Sequence, residues 1–294
     1  MNAATRHGVL AATPNVVRTT DGVDLFYRDW GSGQPVVFLA SWSMPSESWS
    51  YQMLALVDAG YRAIAFDRRG HGRSSDPGRG YDFDTLADDV AAVLDALALQ
   101  DAILVGHSMG CNEIVRYLSR HGTARVQGAV MLGTMTPYVL KTPDNPDGID
   151  ASVFETVRRE QLMADFPRWI DDNMGPFVVP DTAPSMRDWV RFMAHGASLQ
   201  ALCECQRALS DTDFRAELPG IAVPVLVIAG ALDASAPLAL TAHPTARLLP
   251  HATLKVYEDA PHGMFITHRE RVGHDLLEFI AQLGHNPGQP DPEE

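Results

Sequence analysis

A mostly parallel, eight-stranded β-sheet with helices on both faces and an inserted helical cap is the α/β fold class that the sequence predicts. Three observations predict it. Short, near-continuous apolar runs alternate with longer helical patterns, as strands covered on both faces require. An Asp-Gly turn at the start marks a hairpin leading into the sheet. A long stretch between two apolar runs, Thr134 to Leu218, has no strand pattern at all and is rich in helix formers and large apolar residues.

The elements follow in order. Val16–Arg18 and Val23–Tyr27 flank the turn Thr20-Asp21-Gly22 and form the antiparallel hairpin. The apolar runs at Pro35–Leu39, Ala63–Phe66, Ala102–Val105, Gln127–Leu132, Pro224–Ala229 and Thr253–Tyr257 read as the parallel strands. Helical patterns fill Trp49–Asp58, Thr85–Leu97, Cys111–Arg120 and Arg269–Leu283. The long stretch opens with the turn-rich Thr142-Pro143-Asp144-Asn145-Pro146-Asp147-Gly148 and continues with amphipathic segments around Ala151–Asp172 and Ser185–Leu209. It reads as a helical cap over one end of the sheet. The chain therefore divides into an N-terminal half of the core (1–134), a cap (135–217) and a C-terminal half of the core (218–294). Gly284–Glu294, with three prolines and no apolar period, reads as a disordered tail.

Composition narrows the function classes. Lys and Arg number 23 against 37 Asp and Glu, giving a net charge of −14, which disfavours nucleic acid and anionic membrane as partners. No apolar run reaches the roughly 20 residues of a bilayer span, and Met1–Asn15 lacks a signal peptide's apolar core. The odd set Cys111, Cys203 and Cys205 suits a reducing compartment, so a cytoplasmic protein is expected. There is no H-E-x-x-H, no paired C-x-x-C, no Walker loop and no dinucleotide fingerprint, so neither a metal nor a cofactor is expected.

The chemistry begins at Gly106-His107-Ser108-Met109-Gly110. Alone this G-x-S-x-G pentapeptide is a weak signal. Here it follows a predicted strand and opens a predicted helix, the setting in which a serine sits on a strained elbow. A serine hydroxyl needs a base, and the base needs an orienting group. In elbow-type hydrolases the chain order is serine, acid, histidine. Asp233, in the loop after Pro224–Ala229, fits the acid, since open α/β sheets build sites at the carboxyl ends of their strands. Asp144 lies too far into the long stretch, and Asp259 sits only three residues from the histidine favoured here. That histidine is His262, between the last strand and the last helix.

Together these residues resemble the α/β-hydrolase superfamily, and within it the bacterial cofactor-free haloperoxidase/perhydrolase-type serine esterases. The resemblance runs from about Val16 to Leu283 and rests on Gly106–Gly110, Gly230-Ala231-Leu232-Asp233 and Pro261-His262-Gly263-Met264. It is strengthened by Asp67–Ser74, read as a structural turn segment, and by Lys141–Gly148 at the cap entrance. The resemblance implies that Ser108 attacks an acyl carbon, His262 moves the proton and Asp233 holds the imidazole. It also implies an oxyanion hole made from the backbone N–H groups of Trp42 and Met109.

The sequence departs from that family in three places. Ala40-Ser41 stands where relatives place His-Gly before the oxyanion-hole aromatic. Cys111-Asn112 replaces Gly-Gly after the elbow, and Ser43 replaces the proline common in peroxy-acid formers. Most of the large apolar residues of the cap (Phe166, Trp169, Ile170, Met174, Phe177, Trp189, Phe192, Met193), with Met44 and Trp49, are expected to be ordinary core, and those that face Ser108 to line an apolar cleft. The expected substrate is therefore a small or medium carboxylic ester or a lactone. Rival readings are a peroxy-acid former or C–C hydrolase using the same triad, a cofactor-independent oxygenase, and a ligand receptor. Oligomeric state stays open, although relatives often form homo-oligomers.

Overall fold

The computed structural model describes residues 15–284. Eight strands form one sheet in the order β1-β2-β4-β3-β5-β6-β7-β8. β1 (Val16–Arg18) and β2 (Asp24–Gly31) make the expected hairpin, with Gly22 at φ +85° in its turn. β2 continues to Gly31 and pairs antiparallel with β4 (Arg62–Phe66), four residues beyond the strand predicted from sequence. Its outer half, Arg28-Asp29-Trp30, is only part-buried, and Asp29 pairs with Arg62 at 2.7 Å. A polar edge stretch of this kind carries no apolar signal.

The remaining pairings are parallel: β3 (Pro35–Leu39) lies between β4 and β5 (Ala102–His107), followed by β6 (Val126–Leu132), β7 (Val225–Gly230) and β8 (Ala252–Tyr257). β3 to β7 are almost wholly buried, because helices cover both faces. One core packs α2 (Phe83–Ala96) and α3 (Met109–His121) on one face. The other packs α1 (Ser50–Asp58) and α10 (Arg269–Gly284) on the opposite face. α2 starts two residues before its predicted start because Asp82 caps it, accepting from the Thr85 N–H at 3.0 Å.

Between β6 and β7 the chain is helical: α4 (Ala151–Thr156), a π-helical turn over Val157–Leu162, α5 (Met163–Phe177), α6 (Pro184–Ala194) and α7 (Leu199–Asp211). The segment Ser185–Leu209 expected as one amphipathic stretch is two helices, broken at 195–198. Two short helices that the apolar pattern did not signal, α8 (Ala242–Leu248) and α9 (Met264–Thr267), flank β8. The tail expected over Gly284–Glu294 lies, apart from Gly284, outside the described residues, as does Met1–Pro14.

Candidate active site

β5 runs into α3 with no intervening loop, and the turn falls on Ser108 at φ +55°, ψ −115°. Positive φ costs a non-glycine residue about 1–3 kcal/mol and persists only where the surroundings enforce it. Here they do. A Cβ on Gly106 would lie 2.6 Å from the Gly110 carbonyl carbon, and one on Gly110 would lie 2.3 Å from Leu39 O, so both flanks must be glycine. The Ser108 N–H donates to Leu132 O at 2.9 Å, but its side chain does not cap α3. The hydroxyl is thus left to the cavity that Ser108 lines.

Asp233 and His262 arrive from the two loops that follow β7 and β8. His262 Nδ1 donates to Asp233 Oδ2 at 2.7 Å, and Asp233 Oδ1 accepts the N–H groups of Ser235 (2.9 Å) and Ala236 (2.8 Å). With Oδ2 committed to the ring and Oδ1 to the backbone, the imidazole is held with Nδ1 protonated and Nε2 as its free acceptor. The Asp233 side chain is 1% exposed. Gly133, at φ +52°, passes beneath the pair, where a Cβ would come within 3.3 Å of both Asp233 Oδ2 and His262 Nδ1. The rival carboxylates lie elsewhere: Asp144 pairs with Arg215 at 2.9 Å, and Asp259 faces His268 at 3.4 Å.

Two further contacts hold the histidine loop. The Gly263 N–H donates to Phe177 O, at the end of α5, at 2.8 Å. His107 Nε2 donates to the His262 carbonyl at 2.9 Å, and the two rings lie 4.6 Å apart between centroids.

Trp42 lines the same cavity, and Met109 opens α3 beside Ser108. Among the described residues no acceptor takes the N–H of either. Ser41 is not among the non-glycine residues of positive φ, so the backbone here has no need of the family's glycine. The Trp42 indole N–H is anchored to Leu202 O on α7 at 2.8 Å.

The cavity measures about 340 Å³ and is mostly apolar. Of the ten large apolar residues named from sequence, Met44, Trp169, Ile170, Met174 and Phe177 line it. Phe166, Trp49, Trp189, Phe192 and Met193 do not. Trp49 packs on Phe38 in the core, Trp189 on Tyr51, and Phe192 is 73% exposed. In their place stand Met135, Val139, Phe154, Val157, Leu162, Val190 and Leu209, with Asn173 and Gln206 as polar points.

One cluster of metal-ligand type occurs among the described residues: His274, Asp275 and Glu278 on α10, whose ligand atoms lie within 4.8 Å of one another. The Lys255 ammonium already bridges its carboxylates, 2.8 Å from Asp275 and 2.6 Å from Glu278. It stands apart from the cavity.

The alpha/beta hydrolase family model matches residues 34–269. The chain belongs to the α/β-hydrolase family. The hydrolase is 40% identical over 271 residues to the non-heme chloroperoxidase CPO-A1 of Kitasatospora aureofaciens, covering 90% of this chain and 98% of that one. It is 38% identical over 272 residues to the bifunctional esterase/perhydrolase DCH of Acinetobacter calcoaceticus, with the same coverage. The bromoperoxidase structure from Bacillus anthracis superposes with a TM-score of 0.87 at 35% identity, covering 92% of this chain and all of that one. The hydrolase is therefore of the haloperoxidase type.

Two buried histidines of this hydrolase make its stability depend on pH. Burial, reinforced by Arg68, pushes His71 down to about 4, and burial beside His262 pushes His107 well below its ordinary value. Both rings stay neutral in the folded state, whereas an unfolded histidine takes a proton near pH 6.5. Stability is full above about pH 6.5 and falls as the pH drops from there towards 4, by up to about 1.4 kcal/mol per pH unit for each ring. Urea midpoints at pH 7.5 and 5.0 check this; equal midpoints would contradict it.

Proposed function

We propose that this α/β hydrolase cleaves small or medium carboxylic esters or lactones through an acyl-enzyme on Ser108. The observation that carries the reading is the convergence of the strained Ser108 turn and the Asp233-oriented His262 on one apolar cavity. In this reading Ser108 Oγ attacks the acyl carbon while His262 Nε2 takes the hydroxyl proton. The carbonyl oxygen becomes an oxyanion, stabilised by the N–H groups of Trp42 and Met109. Collapse breaks the C–O bond to the alcohol, which leaves with the proton from His262. Water then attacks the acyl carbon while His262 takes its proton, and collapse breaks the bond to Ser108 Oγ, which regains the proton from His262 as the carboxylic acid leaves. The helices of residues 135–217 serve as a cap that shapes the acyl site, and the apolar wall favours an uncharged acyl chain. A second reading, perhydrolase activity with the same triad, is supported by the name of the bifunctional esterase/perhydrolase relative, while Ser43 in place of the proline of peroxy-acid formers speaks for the esterase.

The test is pre-steady-state hydrolysis of p-nitrophenyl esters of increasing acyl length, with mass spectrometry of the quenched protein. The expected result is a burst of p-nitrophenol, equal to the enzyme sites where deacylation is slow, and an acyl adduct on the peptide carrying Ser108. Turnover without any adduct on that peptide would overturn the acyl-enzyme reading.

A further inference from the structure

The loop that carries the proposed Trp42 donor is gripped from behind by two side chains of the segment after β4. Arg68 Nη2 donates to Ala40 O at 2.6 Å and Nη1 to Ser41 O at 3.1 Å, and His71 Nε2 donates to Trp42 O at 2.5 Å. Arg68 and His71 thus take up three successive carbonyls of the loop. In a planar trans peptide the C=O and the following N–H point in opposite directions. Drawing the Ser41 carbonyl towards Arg68 therefore sends the Trp42 N–H away from Arg68, and Ser41, Trp42 and Ser108 all line the cavity.

Arg68 is itself fixed. Its Nε donates to Glu113, and the two side chains are 3% and 2% exposed. Glu113 lies on the second turn of α3, whose first residue is Met109, the other proposed donor. One buried ion pair thus joins the turn bearing one N–H to the helix bearing the other. A planar guanidinium can hold two carbonyls and a carboxylate in one fixed fork, which an ammonium cannot.

We propose that Arg68, oriented by Glu113, is a positioning residue that aims the oxyanion-hole N–H of Trp42 and fixes its distance from that of Met109. The inference rests on the esterase reading above, and it assigns to Arg68 a role that the glycine-rich turn motif around it does not suggest. Ser41, with its carbonyl held in this way, keeps the loop in shape without the usual glycine.

A core ion pair with no positioning role makes a different prediction, and the double variant R68M/E113L separates the two. It leaves no lone buried charge, the usual cause of collapse when one partner is removed. It also frees the Ala40 carbonyl and leaves the Ser41 carbonyl only the Met44 N–H, at 3.2 Å. The measurements are kcat and KM for p-nitrophenyl butyrate, normalised by burst titration of active sites, and the affinity for a trifluoromethyl ketone, which forms an oxyanion on a reactive serine.

The double variant is expected to unfold cooperatively, with kcat lowered about 10- to 100-fold and KM within about threefold of wild type. Ketone affinity should fall in step with kcat, and Arg68→Lys should recover only part of the loss. A folded double variant with wild-type kcat and ketone affinity would overturn the proposal. If the double variant does not fold, Arg68→Lys decides: a fall in kcat and ketone affinity at constant KM supports positioning, and wild-type values refute it. Loss of the esterase reading is told apart by Ser108→Ala: turnover that survives it removes the reading and this inference together. Turnover that requires Ser108 but ignores the Arg68 variants removes the inference alone.

Discussion

Ser108→Ala is expected to abolish ester turnover, lowering kcat by about 10⁴- to 10⁶-fold while leaving the fold intact. The two halves of that statement have separate physical grounds. Alanine at position 108 has to adopt the same positive φ as serine, and the serine hydroxyl caps nothing, so its loss removes no hydrogen bond that holds α3. The stability change should stay within about 0.5 kcal/mol. Without the oxygen the proposed acyl-enzyme cannot form, and only the proposed N–H donors and the apolar cavity are left to act on the substrate. Stopped-flow release of p-nitrophenol, with a urea melt on the same preparation, checks both halves. A folded variant with more than a tenth of wild-type kcat would remove Ser108 from the mechanism.

Asp233→Asn should lower kcat by about 10⁴-fold, although it changes one heavy atom. The carboxylate accepts three N–H groups: two from the backbone on Oδ1 and one from His262 on Oδ2. An amide cannot accept on both sides. If its NH₂ faces His262, the imidazole has to present Nδ1 as an acceptor and carry its proton on Nε2, where it can no longer take one from Ser108. If its NH₂ faces Ser235 and Ala236 instead, two buried backbone donors lose their acceptor. The first arrangement is the cheaper, so the variant should fold and stay inactive from the wrong tautomer. Steady-state kinetics with a thermal melt tests this; a loss below tenfold would show that His262 is oriented by something else.

How far these residues could be found without coordinates depends on whether their signal is local. Ser108, Asp233 and His262 each lie at a strand end in the order an elbow-type site demands, and a short apolar run is enough to locate a strand end. The contact that selects Asp233 over Asp144 and Asp259 is spatial, but Asp144 was already too far from its strand end and Asp259 too near His262 in the chain. The cavity wall was far less legible. The π-helical turn Val157–Leu162 interrupts the 3.6-residue period within Ala151–Asp172, so no single helical face can be read through it. Val157 and Leu162, inside that turn, line the cavity although no regular period announces them, and Phe192, on a separate helix, points to solvent. Arg68, His71 and Glu113 were invisible for another reason. Their partners are backbone carbonyls and a carboxylate distant in the chain, and nothing in a turn motif encodes those.

The bond from the Gly263 N–H to Phe177 O ties the end of a wall-forming helix to the loop of the proposed base. Phe177 also presents its ring edge to His262, 5.9 Å between centroids. Most of the wall stands apart from the reacting groups, so a lineage can exchange residues such as Phe154 or Leu209 to admit new acyl groups without retuning the chemistry. At position 177 those two freedoms merge, because shifting the wall there also tugs on the histidine. Diversification of substrate range in this scaffold should therefore run through α4 and α7, with the junction at Phe177 and Gly263 drifting last.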